Sequence, residues 1–125
     1  MSLENVELVE AIHRRWNARE PTHDLIDGKL EYVNPHDAIE TGTVRGSDAL
    51  QRVLEVYPDY RIEVQRVIDA GDEVVVLGVV RGTSPSGVSI EGRQGYVWTV
   101  RDGRAVRFRW FVDPDEALEA VGLSP

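Results

Sequence analysis

Residues Val88 to Val112 read VSIEGRQGYVWTVRDGRAVRFRWFV. The second half alternates. Val106, Phe108, Trp110 and Val112 fall on one face, and Arg107 and Arg109 fall on the other. A period of two marks a half-buried strand, because successive side chains point to opposite sides. The first half alternates too, with Ile90, Gln94, Tyr96, Trp98 and Val100 on one side. Arg101-Asp102-Gly103-Arg104 joins the halves as a hairpin.

The apolar pattern predicts a register. A two-residue Asp102-Gly103 loop would set Trp98 opposite Arg107 and mix the faces. A three-residue loop, with Gly103 left-handed in a bulge, sets Val100 opposite Arg104. Trp98 then faces Val106, Tyr96 faces Phe108 and Gln94 faces Trp110. A one-residue slip turns every side chain over, so the three-residue loop is the expectation. The result is a broad aromatic surface carrying two polar groups, Gln94 and the Tyr96 hydroxyl. Such a surface is either a packed core or the wall of an apolar pocket.

Outward from this hairpin, the N-terminal segment is helical. Ser2 is placed to cap it, and Val6, Val9, Ile12, His13 and Trp16 share one stripe up to Pro21. His13 lies at the edge of the stripe and is expected to be partly exposed. Thr22 to Ile26 can form one helical turn, and Lys29 to Val33 a brief strand that Asn34-Pro35 ends. Thr41 to Gly46 reads as extended. Ser47 is placed to cap a second helix, from Asp48 to about Val56. Tyr60 to Ala70 is a strand whose alternation slips near Arg66, which points to a bulge. After Gly71-Asp72, Glu73 to Thr83 is apolar on both faces and needs cover on both. Helices can cover one face; a second copy of the chain is the simplest cover for the other, so a homodimer through the sheet is expected. A sheet that curls over itself is the alternative. Asp113 caps a last short helix with Pro114 at its first position, and Gly122 closes it.

Helices segregated to one face of a strongly curved antiparallel sheet make an α+β fold. The expected shape is a cone with its mouth near the helices, and the 125 residues form one domain. The chain has no cysteine, which excludes disulfides and thiol chemistry. A net charge of −8 repels phosphate backbones, so no nucleic-acid partner is expected. Arg101, Arg104, Arg107 and Arg109 form the basic cluster, on an outer strand face with acidic neighbours available. No apolar run approaches a membrane span and no signal peptide is visible, so a cytoplasmic protein without a membrane partner is expected.

Four segments, in this order and spacing, resemble the SnoaL-like polyketide cyclases and the ketosteroid isomerase-like proteins of the nuclear-transport-factor-2-like superfamily. They are the helix ending in Trp16-Asn17-Ala18, Gly46-Ser47-Asp48-Ala49-Leu50, Ile68-Asp69-Ala70-Gly71-Asp72-Glu73-Val74, and Thr99 to Arg104 with Asp113 to Leu123 behind it. The resemblance spans nearly the whole chain and implies a cone with helices on its concave face. It does not imply one activity, since the fold hosts isomerases, cyclases, hydrolases and binders. In the isomerases an aspartate base precedes a proline after the first strand; the matching position here is Asn34, whose amide takes up no proton. Their oxyanion donors match Ile12 and Tyr96, and Ile12 donates nothing. Steroid isomerisation by that route is not expected.

His36-Asp37 is the surviving acid–base candidate. A histidine beside a carboxylate suits proton transfer, with Asp37 orienting His36 and Tyr96 or Asn34 binding an oxyanion. The alternative is an ordinary loop histidine. Three histidines without helical metal spacing make a poor ligand set, so no metal and no cofactor is expected. The expected pocket wall comprises Ile12, Trp16, Tyr32, Asn34, Tyr57, Gln94, Tyr96, Trp98, Phe108 and Trp110. Tyr60 is a further hydroxyl for the mouth or a brace for the core. The expected function is binding of a small apolar molecule, polycyclic or terpenoid, with or without isomerisation, cyclisation or related proton transfer. The alternative is a non-catalytic binder or a dimeric interaction domain whose cone is filled by side chains.

Overall fold

The computed structural model describes residues 3–38, 42–46 and 49–124, with the side chains of Ala49 and Leu50 excepted. The caps expected at Ser2 and Ser47 lie outside the described residues, as does Thr41. In chain order the elements are α1 (Leu3–Ala18), β1 (Ile26–Asn34), β2 (Gly42–Arg45), α2 (Ala49–Val56), β3 (Arg61–Ala70), β4 (Glu73–Thr83), β5 (Ser89–Arg101), β6 (Arg104–Phe111) and α3 (Pro114–Ala120).

The six strands form one curved, unclosed sheet in the order β2-β1-β6-β5-β4-β3. The architecture is α+β, as the sequence predicts, with two corrections. First, the sheet is not wholly antiparallel, because β1 pairs with β6 in parallel. The chain crosses from β2 to the far edge through α2, and the β3–β6 meander then returns to lay β6 beside β1 in the same direction. Second, the helices do not share one face. Helix α1 brings Val9, Ile12 and Trp16 onto the concave face, against Val74, Val76, Tyr96, Trp98 and Phe108. Helix α3 brings Ala117 and Leu118 onto the opposite face, against Val75, Leu77 and Val97.

That second face is where the two-sided apolar pattern of β4 asked for cover. Gly95 explains how α3 lands there. A Cβ at this position would lie 2.5 Å from the Ala117 Cβ and 3.1 Å from the Pro114 Cα, so the missing side chain is the seat of the helix. The Asp113 side chain accepts from the Asp115 N–H to cap α3, and Pro114 follows at the helix start. At the other end, Gly122 has φ +80 and donates to the Glu119 carbonyl, while Leu123 donates to the Leu118 carbonyl. This is the glycine-terminated helix end that the sequence predicts.

Bulges bend the sheet. The β3 ladder shifts between Val64 and Arg66, where the sequence alternation slips. The β5–β6 hairpin carries a further correction. Arg101 pairs with Arg104, so the loop is the two-residue Asp102-Gly103, with φ of +53 and +76. Both residues are left-handed, which matches the twist of a tight hairpin. The extra residue appears instead as a bulge at Val106: Val100 faces Ala105, but Thr99 faces Arg107. Trp98 therefore faces Phe108 and Tyr96 faces Trp110. The bulge keeps the faces unmixed with the two-residue loop that the alternation alone rejected.

His13 is a fourth correction. It is buried to 2% exposure, between Trp16, Tyr96 and Trp98. The Trp98 indole donates to His13 Nε2 across 3.0 Å. The nitrogen that accepts carries no proton, so the neutral ring holds its hydrogen on Nδ1. Burial lowers the His13 pKa to about 3. Two of the four outer-face arginines find the expected acids: Arg107 meets Glu31 and Arg109 meets Glu73. No helix among the described residues is long and apolar enough to cross a membrane.

Candidate functional site

The inward positions of β5 run along the cone in sequence order. Val100, Trp98 and Tyr96 are buried at its base; Gln94 and Ile90 reach its mouth. The base is solid. Trp98 and Phe108 lie 4.4 Å apart between ring centroids, Trp16 contacts both, and Tyr96 stacks on Phe108. Of the residues expected in the wall, Ile12, Trp16, Tyr96, Trp98 and Phe108 fill this base.

Above it lies a cavity of about 470 Å³. Tyr32, Asn34, Tyr57, Gln94 and Trp110 from the expected wall line it. Tyr60, Ile90, Val80 and Val53 add to the wall, and Asp37 and Arg52 carry its charge. Arg52 and Ile90 were not among the residues expected in the wall. Ile90 is legible as the outer end of the β5 alternation; Arg52 becomes a lining residue only because α2 folds over the mouth.

The tyrosines at the mouth are held in place from α1. Asn17 pairs with the backbone of Ile62 in both directions, donating across 2.7 Å and accepting across 3.1 Å. Arg19, with φ +61, donates to the carbonyls of Trp16, Pro58 and Tyr60. These contacts fix the segment carrying Tyr57 and Tyr60. Tyr57 rests on Gly82, where a Cβ would come 3.1 Å from its own Cβ.

The polar groups of the wall are partly committed. Asn34 accepts from the Trp110 indole at 2.8 Å and donates to the Gly42 carbonyl at 3.3 Å, so it braces the wall. The Tyr96 hydroxyl donates to Gln94 Oε1 at 2.9 Å. The Tyr32 and Tyr60 hydroxyls have no hydrogen-bond partner among the described residues. Burial raises the pKa of Tyr32, Tyr60 and Tyr96, and the neighbouring tyrosines add to the effect at Tyr60 and Tyr96. The phenols stay neutral, able to bind or polarise an oxygen but not to act as a base at ordinary pH.

His36 and Asp37 are both exposed on the loop after β1. Asp37 reaches the cavity; His36 does not line it. Their donor atoms meet Glu116 of α3, all within 4.8 Å of one another. This group could hold a cation, although exposed acidic groups of this kind are common without one. The adjacent residues His23 and Asp24 also pair a histidine with a carboxylate, but this carboxylate is taken by an arginine. Arg15 holds Asp24 at 2.6 Å and keeps its carboxyl below the usual range.

The family model for the SnoaL-like domain matches residues 9–108, from the middle of α1 to the aromatic base of the cone. The chain belongs to the SnoaL-like domain family. Among solved structures, this SnoaL-like domain is similar to an NTF2-like protein of unknown function from Burkholderia pseudomallei. The two share 24% identity over 98% of this chain and 99% of the other, with a TM-score of 0.74. It is also similar to TerC, co-crystallised with polyporic acid, at 26% identity over 94% of this chain and 98% of TerC, with a TM-score of 0.73. A third similar structure is a protein with a ketosteroid isomerase-like fold from Catenulispora acidiphila, in complex with trimethylamine. It shows 19% identity, coverage of 94% and 93%, and a TM-score of 0.71. The fold is thus NTF2-like. A search of curated proteins gives no match.

Proposed function

We propose that the SnoaL-like domain binds a small, largely apolar, ring-containing molecule in the cavity at the mouth of the cone. The observation that carries this reading is the division of the cone. Its base is packed with aromatics, and its mouth holds about 470 Å³ walled by Val53, Val80, Ile90 and Trp110, with phenol and amide groups among them. A concave, mostly apolar site with a few placed polar groups is the common form of a small-molecule pocket. Similarity to TerC supplies polyporic acid as a first probe.

Proton transfer on the bound molecule is the second reading, and Asp37 favours it as the carboxylate lining the cavity, with His36 beside it. In that reading Asp37 takes the proton and His36 relays it to solvent.

The test is a titration with polyporic acid, then with a panel of steroids, aromatic polyketides and terpenoids, following tryptophan emission and heat. Saturable quenching is expected. In Trp110→Phe the optical signal should shrink while the heat of binding persists. Absence of saturable heat and emission change across the panel would overturn the binding reading. For proton transfer, Asp37→Asn and His36→Ala should abolish turnover of a bound molecule while sparing affinity; intact turnover in both would refute it.

A further inference from the structure

Gln94 has a defined polarity, and this bears on which molecules the cavity accepts. Its Oε1 lies 2.9 Å from the Tyr96 hydroxyl. If the amide were turned over, its NH2 would donate to that hydroxyl, and the Tyr96 proton would need another acceptor. Among the described residues it has none. His13, whose ring packs against Tyr96, already accepts the Trp98 indole at Nε2. The Tyr96 proton therefore goes to Oε1. The two hydrogens on Gln94 Nε2 are left without a protein acceptor among the described residues, on a side chain that lines the cavity.

Asp37 and Arg52 bring charge to the wall, but its other uncharged polar groups do not impose a polarity. Phenol hydroxyls of Tyr32 and Tyr60 can give or take a hydrogen bond by rotating. Both ends of the Asn34 amide are engaged. We infer that Gln94, positioned by Tyr96, makes the cavity select ligands with a carbonyl oxygen, a ketone or quinone, at this point of the wall. This rests on the binding reading above and names its ligand class. A ligand presenting only a donor there would meet the NH2 hydrogens head on, and a hydrocarbon would leave them unpaired in an apolar wall.

Two bicyclic probes of nearly equal size separate the possibilities: 1-tetralone, which has a carbonyl, and 1,2,3,4-tetrahydronaphthalene, which has none. Their dissociation constants are measured by titrating isotope-labelled full-length protein and following amide resonances. The readout is the ratio of the two constants, which cancels general changes in pocket size or stability. In Gln94→Glu, an acceptor of the same shape at pH 8, the ratio should move against tetralone by about fivefold or more, the scale of one neutral hydrogen bond. In Tyr96→Phe the amide is free to turn, and the ratio should move the same way by about two- to threefold. If both probes saturate but the ratio stays within about twofold of wild type in Gln94→Glu, the polarity inference fails while the pocket stands. If neither probe saturates in the wild type, the binding reading fails and the inference falls with it.

Discussion

Trp98 donates its indole N–H to Nε2 of His13 across 3.0 Å, and the pair joins α1 to the centre of the sheet. Both side chains are buried, Trp98 completely and His13 to 2% exposure. The bond requires neutral His13, since protonated imidazole offers two donors and no acceptor.

Acid should therefore weaken the fold through His13. Its pKa is about 3 when folded against 6.5 for an ordinary histidine, so between these limits the unfolded chain binds more protons. The contribution is fully present above pH 6.5 and is lost as pH falls toward 3. The slope from this one group approaches about 1.4 kcal/mol per pH unit. Urea unfolding of wild type and His13→Phe at pH 7 and pH 5 measures it. The variant should lose about 1–3 kcal/mol at pH 7, because the Trp98 N–H loses its acceptor, yet show a flatter pH dependence over the interval. Equal pH dependence in the two proteins would refute this account.

The seat of α3 gives a second prediction. Gly95→Ala places a methyl 2.5 Å from the Ala117 Cβ, and overpacking of this kind costs about 1–3 kcal/mol. Ala117→Gly should recover part of that loss in the double variant, although it lowers helix propensity by itself. Thermal unfolding of the two single variants and the double one completes the cycle. Strictly additive losses would show that the two positions do not meet.

Asn17 ties α1 to β3 through two hydrogen bonds with the Ile62 backbone. Asn17→Ala should cost about 1–3 kcal/mol, because partly buried backbone groups lose their partners. Tyr60 precedes this strand, so polyporic acid affinity should fall as well. Asn17→Asp keeps the acceptor for the Ile62 N–H but sets a carboxylate against its carbonyl, and should be at least as destabilising. Denaturant midpoints of both variants test this; an unchanged Asn17→Ala midpoint contradicts it.

Gly92 offers a way to close the cavity without disturbing the core. It pairs with Val80, between Ile90 and Gln94 on the inward face, and a Cβ there meets nothing within 4 Å. Gly92→Val should leave the unfolding temperature unchanged or raise it, since a β-branched residue suits a strand better than glycine. Affinity for polyporic acid should fall about tenfold as the isopropyl group takes up ligand space. Undiminished affinity would place the ligand elsewhere.

Much of the molecule was legible in local pattern. Alternation in β5 and β6 put Tyr96, Trp98 and Phe108 on a buried face, and the helical stripe of α1 put Val9, Ile12 and Trp16 inside. The slip near Arg66 announced a bulge, and Asp113-Pro114 announced the start of α3. The mouth was half legible. Tyr32, Asn34, Tyr57, Gln94 and Trp110 were expected in the wall and line it, whereas Trp98 and Phe108 fill the base. Alternation assigns a side chain to a face, but it does not say how far along the cone that side chain lies.

The sequence by itself determined the main elements, the buried stripe of α1, the inward alternation of β5 and the family, because these depend on side-chain period and on residues near in the chain. Tertiary structure alone decided the rest. The hairpin register depends on a bulge at Val106, which keeps Trp98 on Phe108 despite a two-residue turn. The side taken by α3 depends on Gly95 meeting Ala117, and the burial of His13 on an indole 85 residues away. The polarity of Gln94 depends on where the Tyr96 proton can go. Each is a competition among groups distant in sequence, settled by close packing and by the cost of leaving a buried polar atom unpaired.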